Sequence, residues 1–314
     1  MDKEVLIQLW MANGFIQEDG IMDLEQKGEY TFQYLVWRSF LQDVKAKKTL
    51  DHLAELQPST ILQKEIMDKA LPYESIGCKM HDLMHDLAKD VADECVTSEH
   101  VLQHDASVRN VRHMNISSTF GMQETMEMLQ VTSSLRTWIV PSPLCRDLKD
   151  LSLASLRTLV IEKGIFHYHS VMSNHVITYS KHLRYLDLSM SQIVMLPSSI
   201  CVMYNLQTLR LNGCSFLKYL PESMGKMRKL LHLYLLGCDS LVRMPPNFGL
   251  LNNLRTLTTF VLDTKAGCGI DELKNLRHIA NRLELYNLRK INCRNNGIEA
   301  NLHQKENLSE LLLH

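Results

Sequence analysis

The chain has 314 residues, 45% of them hydrophobic, which is enough to bury a sizeable core in two domains or in one domain with a repeat array. Its 34 Lys and Arg residues nearly balance its 35 Asp and Glu residues. The net charge of the chain therefore creates no overall electrostatic attraction to nucleic acid or to an anionic membrane. No apolar run is long enough to span a membrane, and the N-terminal one is too interrupted for a secretory signal. Eight cysteines without a C-x-x-C pair indicate neither a zinc knuckle nor a disulfide framework. We therefore predict a globular protein of the cytoplasm or the nucleus.

The first predicted helix lies in the stretch EVLIQLWMANGFI. Apolar side chains at helical spacing form one stripe on it: Val5, Leu6, Leu9 and Trp10. Asn13-Gly14 predicts its end, because glycine readily adopts the left-handed conformation that stops a helix. A second helix is predicted from about Leu24, and its largely buried side carries Tyr30, Tyr34, Trp37 and Leu41.

The segment CKMHDLMHDLAKDVADEC, residues 78–95, contains Met-His-Asp-Leu twice. As a helix, it places six apolar side chains on a stripe that faces a core: Met80, Leu83, Met84, Leu87, Ala88 and Val91. His81 and His85, four residues apart, could bind zinc, but no Glu stands beside His81 as in zinc proteases. In the alternative interpretation, Asp82 caps or charges the start of the helix and His81 packs at the edge of the core.

The first hundred residues follow the order helix, helix, hairpin, helix, in which a basic, turn-like segment and the strand-like GCKM form the hairpin. This order predicts a mainly α winged-helix domain over residues 1–100. A DNA-binding winged helix needs a basic recognition helix, whereas the predicted last helix is acidic and carries Asp82, Asp86 and Asp90. The charge of this helix therefore disfavours a specific nucleic-acid partner.

The second half of the chain repeats itself every 23 to 24 residues, with the first leucines of successive units at 183, 206, 230 and 254. Each full unit opens with Leu-x-x-Leu-x-Leu, and weaker copies lie at 111–117, 134–140, 155–161, 281–288 and 307–314. Such units each form one short parallel strand with its leucines inward, and they bury their apolar faces only by stacking. The pattern predicts an α/β leucine-rich-repeat solenoid with a parallel concave sheet over residues 101–314. Cys214 and Cys238 occupy the Asn/Cys position of the repeat, for which we expect a structural role.

The residues between the leucines are predicted to face the concave surface. They are Arg184, Tyr185, Asp187, Gln207, Thr208, Arg210, His232, Tyr234, Arg255, Thr256 and Thr258. Aromatic and Arg side chains on a preformed concave sheet suit protein recognition. The alternative is the solvated face that every solenoid has. No nucleophile, base and oxyanion pattern indicates an enzyme.

Three stretches, LIQLWMANGFI, DLEQKGEYTFQYLVWRSFLQDV and CKMHDLMHDLA, resemble the winged-helix segment and MHD motif of plant nucleotide-binding leucine-rich-repeat disease-resistance proteins. The repeats resemble the recognition array of the same family. The resemblance implies that Met80, His81 and Asp82 form the motif and that His81 contacts the β-phosphate of ADP in the intact receptor. His85 and Asp86 are then surface residues.

No G-x-x-x-x-G-K-[ST] phosphate loop is present in the sequence, so we expect no cofactor in this chain. ADP or ATP is expected only with a nucleotide-binding domain. The resemblance thus implies the C-terminal part of an intracellular plant immune receptor, cut at both ends. Its expected partners are proteins: a pathogen effector, a guarded host protein or the receptor's own nucleotide-binding domain. The alternatives are a stand-alone adaptor or decoy that uses only the repeats, and a non-functional gene fragment.

Overall fold

The computed structural model describes residues 1–17, 20–47, 75–91, 94–97, 111–116, 134–141, 153–162, 180–290 and 300–314. Its first elements are α1 (Lys3–Asn13), α2 (Leu24–Trp37), β1 (Leu41–Lys47), β2 (Ser75–Met80) and α3 (Asp82–Val91). β1 and β2 pair antiparallel, so the predicted order of helix, helix, hairpin and helix is confirmed. These five elements are called the N-terminal unit below.

Local sequence signals define both ends of α1. The Asp2 carboxylate accepts hydrogen bonds from the backbone N–H groups of Glu4 and Val5, which have no partner inside the helix. At the other end, Gly14 adopts the left-handed conformation with φ 78°, as predicted. The helix therefore begins and ends where its capping residues stand.

The faces that the first two helices bury differ from the prediction. On α1, Ile7 and Met11 are buried in the core of the N-terminal unit, whereas Leu6 and Trp10 of the predicted stripe are half-buried and pack against that core. On α2 the buried residues are Gly28 and Phe32, whereas Trp37 is 75% exposed. Tyr30 and Tyr34 are exposed as well, and the one predicted residue that is buried, Leu41, belongs to β1. Helical spacing identified the elements but not the side that each helix turns inward.

The apolar stripe predicted for the third helix does not face a core. Met80 lies in β2 and not in the helix, and Leu83 is 69% exposed on α3. Leu87 is exposed too, and Met84 and Ala88 are half-buried. The side chain of Val91 lies outside the described residues. Among the described residues, none of the apolar side chains of α3 belongs to the core of the N-terminal unit.

The repeats form parallel strands, as predicted. Eight strands make one sheet in chain order: β3 (Cys95–Thr97), β4 (His113–Asn115), β5 (Thr137–Pro141), β6 (Thr158–Glu162), β7 (Tyr185–Asp187), β8 (Thr208–Arg210), β9 (His232–Tyr234) and β10 (Thr256–Leu257). Three more make a second parallel sheet: β11 (Thr259–Val261), β12 (Asn281–Tyr286) and β13 (Leu308–Leu313). The first sheet begins at Cys95 and therefore before the predicted boundary at residues 100 and 101.

The solenoid core consists of the repeated leucines. Leu186, Leu209 and Leu233 stand in register on neighbouring strands, and none of the three is accessible to solvent. Short 3-10 helices cover the other side of this core at Ser198–Val202, Met224–Lys226, Phe248–Leu250 and Ile270–Asn275. Each unit thus covers the apolar face of its neighbour, which is the physical reason for the repeat.

The two repeat cysteines have the structural role expected from their position. The Cys214 thiol donates to the carbonyl of Leu188 at 3.3 Å, and the Cys238 thiol donates to the carbonyl of Leu211 at 3.2 Å. Burial raises the pKa of Cys214 to about 11, so the thiol keeps the proton that it donates. Each cysteine therefore connects its unit to the preceding one.

Candidate functional site

α1 lies against the concave face of the solenoid, the sheet face opposite the leucine core. The side-chain amide of Gln8 donates to the hydroxyl of Tyr234 on β9 at 2.8 Å. That hydroxyl in turn donates to Oε2 of Glu4, one turn earlier on α1, at 3.2 Å. Gln8 and Tyr234 are each only 6% exposed. A buried polar chain thus joins the helix to the middle of the sheet.

The start of α2 adds a charged cluster to the same interface. Oε1 of Glu25 lies 2.9 Å from Nε2 of His232, and Arg255 donates to Oε2 of Glu25 at 2.9 Å. Arg255 also lies 3.3 Å from the carboxylate of Asp23, the residue that caps α2. Burial raises the pKa of Glu25, but His232 and Arg255 lower it by more, so its pKa lies below the ordinary value. The carboxylate is therefore held in its charged form.

The C-terminal end of α1 contacts an earlier part of the sheet. Asn13 is buried, accepts a hydrogen bond from the hydroxyl of Thr137 at 2.9 Å and donates to Thr158 at 3.2 Å. Its backbone carbonyl accepts from the guanidinium of Arg157 at 2.6 Å. These three partners come from β5, β6 and the residue before β6. α1 therefore spans the concave face from β5 to β9.

Apolar contact accompanies these polar ones. Leu231, which precedes β9, packs against the core that Ile7 and Met11 belong to. Within the sheet, the guanidinium carbon of Arg210 lies 4.2 Å from the centre of the Tyr234 ring, a cation–π contact beside the Gln8 hydrogen bond. The N-terminal unit and the solenoid thus share a continuous interface of apolar, aromatic and charged groups.

The concave residues predicted as a binding surface fall into two groups. Six are buried: Tyr185, Thr208, His232, Tyr234, Thr256 and Thr258. Five are half-buried: Arg184, Asp187, Gln207, Arg210 and Arg255. α1 and the start of α2 cover this part of the sheet, so several of these residues contact the N-terminal unit, and their role in binding a partner stays a prediction. Thr258 departs from the pattern, since its hydroxyl accepts from the backbone N–H of Leu235 at 2.7 Å.

The residues that sequence reasoning missed are those on the helices. Gln8, Asn13 and Glu25 contact the sheet, and none of them was predicted to be functional. A weak signal existed, since a polar residue that a helix buries needs a partner. Burial itself, however, cannot be read from the sequence of one helix.

The Met-His-Asp motif lies on the N-terminal unit at the junction of β2 and α3. Met80 ends β2, and the backbone N–H of His81 donates to the carbonyl of Phe40 at 2.9 Å. Nδ1 of His81 accepts from the backbone N–H of Leu83 at 3.2 Å, so His81 caps α3 and Asp82 is the exposed first residue of the helix. The capping role expected for Asp82 therefore belongs to His81.

The second pair, His85 and Asp86, is exposed, and Nδ1 of His85 lies 3.7 Å from Oδ1 of Asp86. In the part of the chain that the structure describes, no group of three or more His, Cys, Asp or Glu side chains could hold a metal ion. The position of His85 therefore agrees with a surface residue.

Comparison with known families identifies both parts of this architecture. A family model described as "Disease resistance protein Winged helix domain" matches residues 1–53, and one described as "Leucine-rich repeat region" matches residues 134–313. The chain belongs to the leucine-rich-repeat disease resistance proteins. The predicted fold class, a mainly α winged-helix domain followed by a leucine-rich-repeat solenoid with a parallel sheet, is confirmed.

Plant proteins are similar to this chain over nearly its whole length. An Arabidopsis thaliana protein named for disease resistance, At3g14460, is 36% identical over 335 residues, which cover 99% of this chain and 21% of the relative. The disease resistance protein RGA2 of Solanum bulbocastanum is 33% identical over 311 residues, which cover 99% of this chain and 27% of the relative. The chain thus spans about a quarter of the length of these relatives. Among the described residues, no helix is long and apolar enough to cross a membrane.

Proposed function

We propose that this chain is the recognition and control part of an intracellular plant immune receptor, and that its own N-terminal unit keeps the concave face of its solenoid closed. The role is non-catalytic. A partner protein, which is a pathogen effector, a guarded host protein or the receptor's nucleotide-binding domain, competes with α1 for the concave residues. The names of the plant relatives support the immune role.

The observation that carries the proposal is the buried polar interface between α1, α2 and the sheet. Glu25 and Arg255 are half-buried and paired, and removing one of them would leave the other partly desolvated charge without its partner. The closed arrangement is therefore cooperative. A ligand that binds the exposed concave face better than the covered one shifts the population towards the open state.

The Met-His-Asp motif is proposed as the sensor of the nucleotide state in the intact receptor. Because Nδ1 of His81 accepts a backbone hydrogen bond, the neutral ring carries its proton on Nε2. An Nε2–H donor at the end of β2 suits a phosphate oxygen of ADP. Met80 and Asp82 flank it. ADP or ATP would be bound only with a nucleotide-binding domain, since this sequence has no phosphate loop.

A chimeric receptor tests the closed state. The corresponding part of RGA2 is replaced by this chain, and cell death is measured in leaves without a pathogen. Arg255→Glu is expected to cause ligand-independent cell death, because it sets a second carboxylate against Glu25 and Asp23. Glu25→Arg combined with Arg255→Glu restores an opposite-charge pair and is expected to reduce the response.

The matched control is Arg289→Glu, which reverses an exposed charge away from this interface. Cell death equal to that of Arg255→Glu would refute closure through the concave face. In the same chimera, His81→Ala and Asp82→Val are expected to favour the active state, whereas His85→Ala is expected to do little. An equally strong effect of His85→Ala would contradict the assignment of the motif.

A further inference from the structure

From β7 onward, a two-residue turn precedes each of β7, β8, β9, β10, β12 and β13, and these turns form one lateral edge of the molecule. The turns before β7, β8, β9, β10 and β12 are Lys181-His182, Tyr204-Asn205, Arg228-Lys229, Asn252-Asn253 and Arg277-His278, and the last turn, before β13, is the acidic Glu306-Asn307. Basic pairs therefore alternate with uncharged polar pairs in the first five turns, and no Asp or Glu occurs in those five. The whole chain has a net charge of −1, so positive charge is concentrated locally in these basic turns.

The basic edge consists of Lys181, His182, Arg228, Lys229, Arg277 and His278, and all six side chains are exposed. In the part of the chain that the structure describes, no carboxylate forms a salt bridge with Lys181, Arg228 or Arg277. The edge is separate from the concave face, so α1 and α2 leave it accessible. Its charge is therefore available to a partner.

Side-chain hydrogen bonds hold the turns at a fixed spacing. Asn205 donates to the carbonyl of Lys181 at 3.1 Å, and Lys229 donates to the side-chain oxygen of Asn205 at 2.8 Å. Asn253 donates to the carbonyl of Arg228 at 3.0 Å. The uncharged turns thus act as spacers between the basic ones, and a preorganised array binds with less loss of entropy than a flexible one.

The spacing of the basic pairs selects a ligand geometry. Neighbouring strands lie ~4.8 Å apart, so the basic pairs before β7 and β9 are ~9.6 Å apart. The third pair precedes β12 of the second sheet, and there the backbone N–H of Ala280 donates to the carbonyl of Arg255 at 2.8 Å, which continues the same spacing. A polyproline II segment rises ~3.1 Å per residue with three residues per turn, so every third side chain lies on one face at ~9.3 Å intervals. An extended β-strand would instead turn successive third residues to opposite faces.

We propose that the basic edge binds an acidic, proline-rich protein segment in the polyproline II conformation, with a carboxylate at every third residue. Three successive carboxylates pair with Lys181-His182, Arg228-Lys229 and Arg277-His278. The exposed ring of Tyr204 stands between the first two pairs and offers an apolar surface to the intervening prolines. This interaction is independent of the closure of the concave face.

The test measures binding of fluorescent peptides to the purified full-length chain by anisotropy at about 50 mM salt, where exposed charges are weakly screened. One peptide carries four Glu-Pro-Pro units, and the comparison peptide has the same composition with its glutamates contiguous. The spaced peptide is expected to bind at least about fivefold more tightly, because only it can pair with all three basic turns. Binding is expected to weaken steadily as salt is raised.

Charge reversal locates the site. Arg228→Glu with Lys229→Glu is expected to weaken binding of the spaced peptide about tenfold, since both side chains of the middle basic pair then repel the carboxylate that they attracted. Lys79→Glu with Lys218→Glu changes the net charge equally at exposed positions off the edge and is expected to leave the affinity within about twofold. Arg255→Glu, which tests the concave interface, is expected to leave the peptide affinity unchanged.

Three results would overturn the proposal. Equal affinity for the spaced and contiguous peptides would mean that the edge attracts any acidic peptide and does not recognise the spacing of its carboxylates. Tighter binding of a single-stranded RNA oligonucleotide or of vesicles with anionic lipid, lost in the same Arg228 and Lys229 variant, would assign the edge to a different class of partner. Loss of peptide binding in the Lys79 and Lys218 variant would place the site elsewhere.

Discussion

The hydroxyl group of Tyr234 offers the sharpest test of the interface between α1 and the concave sheet. Tyr234→Phe keeps the buried ring and removes only the oxygen that accepts from Gln8 at 2.8 Å and donates to Glu4 at 3.2 Å. The apolar area buried by the ring is unchanged, so the hydrophobic contribution stays constant. Any loss of stability then comes from the hydrogen bonds.

The magnitude follows from the atoms left without a partner. A buried amide that loses its acceptor costs about 1–3 kcal/mol. Glu4 loses less, because its other carboxylate oxygen still accepts from Asn281 at 3.4 Å. Since about 1.4 kcal/mol corresponds to a factor of ten, the equilibrium constant for opening of α1 is expected to rise about 5- to 150-fold.

Hydrogen exchange of the α1 amides in the full chain, followed by mass spectrometry, measures this opening. Tyr204→Phe is the matched control, because it removes the same hydroxyl from a tyrosine that is 56% exposed. Adding Gln8→Leu to Tyr234→Phe removes both partners and is expected to recover much of the protection. Unchanged exchange in Tyr234→Phe, or an equal increase in Tyr204→Phe, would refute the reasoning.

Three further predictions concern the N-terminal unit and the nucleotide. Because His232 and Arg255 hold the pKa of Glu25 below its ordinary value of 4.5, this carboxylate stabilises the interface above about pH 4.5, and α1 exchange should accelerate as pH falls further; Glu25→Gln should remove that part of the pH dependence. Gly28→Ala is expected to lower the melting temperature, because its Cβ would overlap with Cγ2 of Ile7, and overpacking costs ~1–3 kcal/mol against the ~1 kcal/mol that alanine adds in helix propensity. A higher melting temperature would contradict this. Calorimetry of the purified chain is expected to show negligible ADP or ATP binding, since one histidine contact without a phosphate loop supplies little affinity, and micromolar binding would be inconsistent with the proposed site.

Features set by neighbouring residues could be predicted from the sequence. The end of α1 at Gly14 follows from the backbone freedom of glycine, and the positions of the strands follow from the spacing of the leucines. The contacts of Cys214 and Cys238 were predictable as well, because each repeats the geometry of its unit. In a solenoid the next unit is always the packing partner, so local pattern fixes tertiary contact.

The choice of which surfaces are covered was decided by the tertiary structure. Trp37 and Leu83 belong to apolar stripes and are nonetheless exposed, while the polar Gln8 and Asn13 are buried. A helix with two packing partners buries two faces, and the second of these can be polar when its partner supplies hydrogen bonds. Gln8 and Tyr234 are 226 residues apart in the chain, and no local pattern connects them. The sequence by itself therefore determined the elements and the repeat, whereas the docking of α1 against the sheet depends on complementarity between distant surfaces.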